Sequence, residues 1–92
     1  MNIENLNQLT RHQDLIIRKL EKDYYLIMGQ TVFETNEIGA TIVNSAERNL
    51  PLSELCIKIS EKYDNKNLGQ IRKDIDDFIN FTLSNGVLFC AK

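Results

Sequence analysis

The feature that most limits what this chain can fold into is a change of hydrophobic period at Thr35. Before it, apolar residues come in short β-rich runs. After it they recur three and four positions apart, as helices require. Leu15-Ile16-Ile17-Arg18-Lys19-Leu20 reads as a strand, and Glu21-Lys22-Asp23 is a charged triplet suited to a turn before Tyr24-Tyr25-Leu26-Ile27-Met28. Gly29-Gln30 separates that run from Thr31-Val32-Phe33-Glu34. A glycine at the first loop position suits a type II′ turn, which needs positive φ there. Two hairpins therefore follow one another.

Beyond the switch, Thr35 or Asn36 can cap a first helix that carries Ile38, Ile42 and Val43. Gly39 inside it signals either close packing of another backbone or simple tolerance. Pro51, the only proline, suits the start of a second helix with Leu52, Leu55, Cys56, Ile59 and Tyr63 on one stripe, broken at Asp64 to Asn67. A third helix is expected from about Leu68 to Ser84, with Leu68, Ile71, Ile75, Phe78, Ile79 and Thr82 along one face and Asn85-Gly86 as its stop. Val87 to Cys90 reads as an apolar extended tail, with room for a short final strand. Met1 to Asp14 has no convincing period and is expected to be a loose arm or a short helical turn before a domain at 15–92. The predicted class is α+β: three strands, then three helices, in a winged-helix-like order.

Composition narrows the function. A chain of 92 residues fits one domain with a thin core. The net charge of -2 gives no clustered basic surface for nucleic-acid phosphates. The longest apolar stretches, Leu15 to Ile17 and Tyr24 to Met28, are far short of the roughly 20 residues that cross a bilayer. The start lacks a secretory pattern, so a cytoplasmic location is expected. Cys56 and Cys90 have no neighbouring Cys or His for a zinc or redox motif and are expected to be two buried thiols. His12, the only histidine, reads as a surface residue, and Asp74, Asp76 and Asp77 as a solvated helix face. With no phosphate loop, metal set or cofactor motif, no enzymatic activity is expected.

The ordered series Tyr24-Tyr25-Leu26, Phe33-Glu34-Thr35-Asn36 before Ile38-Gly39 and Ile42, Leu52-Ser53-Glu54-Leu55, Tyr63-Asp64, Asp74-Ile75, Phe78-Ile79 and Gly86-Val87-Leu88 resembles the PqqD-like family, the RiPP recognition elements. The resemblance runs from about Leu15 to Leu88. It implies a three-stranded antiparallel sheet beside a winged-helix-like bundle. It also implies binding of the leader segment of a ribosomally made precursor peptide as an added strand, between the third strand and the third helix. A separate enzyme, such as a radical SAM enzyme, a cyclase or a leader peptidase, would then act on the core segment.

Residue chemistry points the same way, because an unpaired strand edge offers N–H and C=O groups to an extended peptide while pockets choose its side chains. The expected contacts are Thr31, Val32, Phe33 and Glu34 on the strand and Ile71, Asp74, Ile75, Phe78 and Phe81 on the helix. Alternation sends Val32 or Phe33 into the core, and Ile71, Ile75 and Phe78 also fit a plain core stripe. Asp74 could instead cap, or pair with Arg18, Arg72 or Lys73. Two other functions fit the element order. One is a winged-helix DNA-binding regulator, whose reading helix would here carry repelling aspartates. The other is a structural subunit of an enzyme complex, as a monomer or weak dimer.

Overall fold

The computed structural model describes residues 3–64 and 67–91. In chain order it contains strands β1 (Leu9–Arg11), β2 (Leu15–Leu20), β3 (Asp23–Met28) and β4 (Thr31–Thr35), helices α1 (Glu37–Ser45), α2 (Leu52–Lys62) and α3 (Leu68–Ser84), and strand β5 (Leu88–Cys90). The expected α+β arrangement is present: an antiparallel sheet of order β2-β3-β4, followed by three helices.

Both hairpins turn in two residues. Leu20 faces Asp23 and Met28 faces Thr31, so Asp23 belongs to β3 rather than to the turn. Gly29 has φ of 61° while Gln30 is not among the positive-φ residues, which is the type II′ combination. Strand alternation then sends Leu15, Ile17, Leu26, Met28 and Phe33 toward the helices, where all five join or pack against the core.

Each helix begins on a residue whose chemistry suits that place. Asn36, not Thr35, caps α1, accepting from the Gly39 N–H at 2.9 Å. Pro51 stands at the N-cap of α2, and Asn67 accepts from the Gln70 N–H at the head of α3. The other side of the expected break, residues 65 and 66, lies outside the described residues. Gly39 is a close-approach glycine: a Cβ there would stand 2.1 Å from Thr35 Oγ1 and 2.8 Å from the Phe78 ring. Its neighbours are side chains, however, and not another backbone.

Of the two forms expected for the N-terminal segment, the short helical turn is present and the loose arm is not. Residues 3–14 are folded onto the body, with Ile3, Leu6 and Leu9 in its core, rather than preceding a domain that starts at residue 15. Leu6–Gln8 forms a 3₁₀ turn closed by a reciprocal cap between Asn5 and Gln8, and Leu6 and Leu9 are fully buried. The Leu6 N–H donates to the Leu50 carbonyl at 2.9 Å, and the Leu52 N–H donates to the Glu4 carbonyl at 3.0 Å. β1 pairs antiparallel with β5, so the apolar tail is a strand of a second small sheet. The physical reason is the spacing of Ile3, Leu6 and Leu9, which matches neither a helix nor a strand but suits a tight turn running into an extended segment. Residues 1, 2 and 92 lie outside the described residues. The thiols also differ from expectation: Cys56 is buried and Cys90 exposed, and neither is in a disulfide.

Glu47 clamps β1 to the end of α1. Its carboxylate accepts from the Thr10 hydroxyl and from the Arg11 N–H, and these donors hold its carboxyl below the usual carboxylate range. A carboxyl whose folded value is depressed stabilises the fold above its unfolded value, and that contribution disappears as pH falls through the folded value. Thermal melts are therefore expected to shift downward between pH 6 and pH 3, with a smaller shift in Glu47→Gln. Parallel shifts in both proteins would show that Glu47 carries none of the acid sensitivity.

Candidate peptide-binding edge

The two-residue loops determine which backbone groups of β4 are unpaired. Residues flanking such a loop form a hydrogen-bonded pair, and the pattern then alternates. Thr31, Phe33 and Thr35 are therefore bonded to Met28, Leu26 and Tyr24, whereas Val32 and Glu34 direct their N–H and C=O groups away from β3. β4 pairs with β3 alone among the described residues, and the chain's terminal strands pair with each other instead of covering it. The edge is open over Val32 and Glu34. At the opposite margin of the sheet, part of β2 is occupied: the Leu15 N–H donates to the His12 carbonyl at 3.1 Å.

An aromatic wall from α3 stands beside β4. Phe33 points to the helical side and meets the Phe81 ring edge-on, with centroids 5.3 Å apart. Phe81 in turn lies 6.1 Å from Phe78, whose ring is the one that abuts Gly39. Phe81 nevertheless remains 37% exposed, so this ring lies between core and surface.

The nine expected contact residues therefore separate into groups. Val32 and Glu34 supply the outward backbone groups, with side chains on the outer sheet face; Thr31 is exposed at the hairpin end. Phe33, Phe78 and Phe81 make the wall. Ile71 and Ile75 are core residues, 5% and 0% exposed, and both line a small cavity of about 70 Å³. That cavity is lined by Ile38, Ile59, Tyr63, Ile71, Asp74 and Ile75. Asp74 is exposed and accepts from the Gln70 side-chain amide at 2.9 Å, rather than from Arg18, Arg72 or Lys73. Arg72 pairs with Asp76, and Lys73 with Asp77, each one turn along α3.

Sequence reading missed the group at the start of α1. The Glu37 carboxylate accepts from Lys62 and, at 2.7 Å, from the Tyr63 hydroxyl, which joins the end of α2 to the segment just after β4. These donors hold the Glu37 carboxyl below its ordinary range. Beside it lies a cavity of about 200 Å³ between α1 and α2, with Ile38, Leu55, Ile59 and Tyr63 in its walls. Ile38 and Tyr63 had shown only helical spacing, which says nothing of what they enclose.

Elsewhere, His12 Nδ1 accepts from the Asp14 N–H at 3.0 Å and its ring stacks near Phe89. Among the described residues, no group of three or more His, Cys, Asp or Glu side chains could hold a metal ion, and no helix is long and apolar enough to cross a membrane. No family model, curated protein or solved structure matches this chain.

Proposed function

We propose that this protein is a non-catalytic recognition domain that binds the leader segment of a ribosomally synthesised precursor peptide and delivers it to a separate modifying enzyme in the cytoplasm. The observation that carries this reading is the open β4 edge, with Val32 and Glu34 unpaired, standing beside the Phe33, Phe78 and Phe81 wall. An extended peptide laid on that edge would satisfy the outward N–H and C=O groups, and its alternate side chains would rest on the aromatic wall. Backbone pairing gives strength with little sequence preference, so selection falls to Phe81 and to Asp74 on the exposed side of α3. The partner enzyme would be a radical SAM enzyme, a cyclase or a leader peptidase. The DNA-binding reading is weaker, because the exposed part of α3 carries Asp74 and Asp77 where phosphates would have to approach.

The test is an amide-resolved titration with a synthetic leader peptide from a precursor gene beside this one. Binding at nanomolar to micromolar strength is expected, with the largest shifts at Val32, Glu34, Phe78 and Phe81. Shifts confined to β2 or to the outer sheet face would reject the edge as the site.

A further inference from the structure

The sheet has another surface that peptide addition leaves unused. Strand register places Ile16, Ile27 and Val32 in one row across β2, β3 and β4, on the face turned away from the helices. The next row on that face is Arg18, Tyr25 and Glu34, and beyond it Leu20 stands opposite Asp23. Ile16 is 48% exposed, Val32 56% and Leu20 64%, so the apolar part of the face is largely uncovered. Aliphatic side chains gathered in this way on a folded surface mark an interaction site more often than singly scattered ones do.

We propose that this face is covered by the same face of a second copy of the chain, in a weak two-fold dimer. The charges select both the occupant and its orientation. When two copies meet face to face with the axis running along β3, β2 of one lies over β4 of the other. Arg18 of each copy then meets Glu34 of the second, Ile16 meets Val32, and Tyr25 and Ile27 meet their own counterparts. With the axis turned across the strands, Arg18 would face another Arg18 and Glu34 another Glu34, which like-charge repulsion opposes. Sheets pack about 30° from alignment, a tilt that such an axis accommodates.

Area determines the strength. Three strands at ~4.8 Å spacing and about five residues of length at ~3.4 Å each present roughly 240 Å² per copy. Stable interfaces bury about 800 Å² per partner, so monomer and dimer should exchange at high micromolar to millimolar concentration. The dimer uses the side chains of Val32 and Glu34, whereas leader binding uses their backbone groups. Each reading can therefore fail without the other.

The experiment is sedimentation equilibrium with a methyl-shift dilution series up to about 1 mM, on the wild-type chain, Arg18→Glu, Glu34→Arg, the double variant, and an equimolar mixture of the two single variants. Circular dichroism of each confirms folding, as both positions are exposed. The wild type is expected to associate, each single variant to do so at least tenfold more weakly, and both the double variant and the mixture to recover. The mixture is the sharpest arm, since only an Arg18-to-Glu34 exchange between copies lets two impaired proteins complement each other. A monomeric wild type would overturn the proposal and leave the face to a different protein. So would single variants that associate normally, or a mixture no better than its components.

Discussion

A chain shortened to residues 12–92 is expected to lose its cooperative thermal unfolding transition. The deletion removes Ile3, Leu6 and Leu9, the last two fully buried, together with the whole of β1, and it leaves β5 without its partner. Truncating one buried leucine to alanine costs roughly 2–5 kcal/mol, so losing two costs roughly 4–10 kcal/mol before the strand pairing is considered. A domain of 92 residues has on the order of 5–14 kcal/mol of total stability. The loss is comparable with the whole. A milder arm uses Leu6→Ala alone, expected to lower the melting temperature by about 10 °C or more, since each kcal/mol shifts a domain of this size by roughly 4–8 °C. A shortened chain that still melts sharply within a few degrees of the full one would mean that this segment is not part of the core.

The N-terminal segment also shows where sequence reading stops. β2 and α3 were legible because each is bounded by strong local chemistry: a charged loop after Leu20, the polar break that ends at Asn67, and the Asn85-Gly86 stop. Residues 3–11 carry no such period: Leu6 and Leu9 join one buried cluster with Leu52 and Val87, and backbone hydrogen bonds tie Leu6 to Leu50 and Glu4 to Leu52. Local patterning cannot report partners forty or more positions away. The same limit applies to the candidate site. Phe33 and Phe81 were both picked from sequence, but their edge-on contact depends on how α3 lies against β4. Ile71 and Ile75 were picked for a periodicity that core packing explains fully. The outward direction of Val32 and Glu34, by contrast, follows from the two-residue Gly29-Gln30 loop, because loop length determines which residues pair.

That alternation makes two neighbouring prolines behave differently. Phe33→Pro is expected to unfold the protein: Phe33 and Leu26 form a hydrogen-bonded pair, so proline removes a bond within the sheet, and the substitution also deletes the ring packed on Phe81. Loss of a buried phenylalanine alone costs about 3–5 kcal/mol, and Phe33, being half-buried, should cost somewhat less before the lost pairing is added. Val32→Pro removes an N–H that points away from β3 and a side chain that is 56% exposed, and edge strands tolerate proline on that side. Its urea midpoint should remain close to the wild-type value. Leader binding, however, should weaken at least tenfold, because an added strand loses the donor at Val32 and meets the proline ring on its approach; tenfold corresponds to about 1.4 kcal/mol, within reach of one hydrogen bond and its steric consequence. Calorimetric titration of the folded Val32→Pro variant decides the matter. Unchanged affinity in a protein with an intact sheet would mean that the leader does not pair with β4, and the carrier function would lose its physical basis.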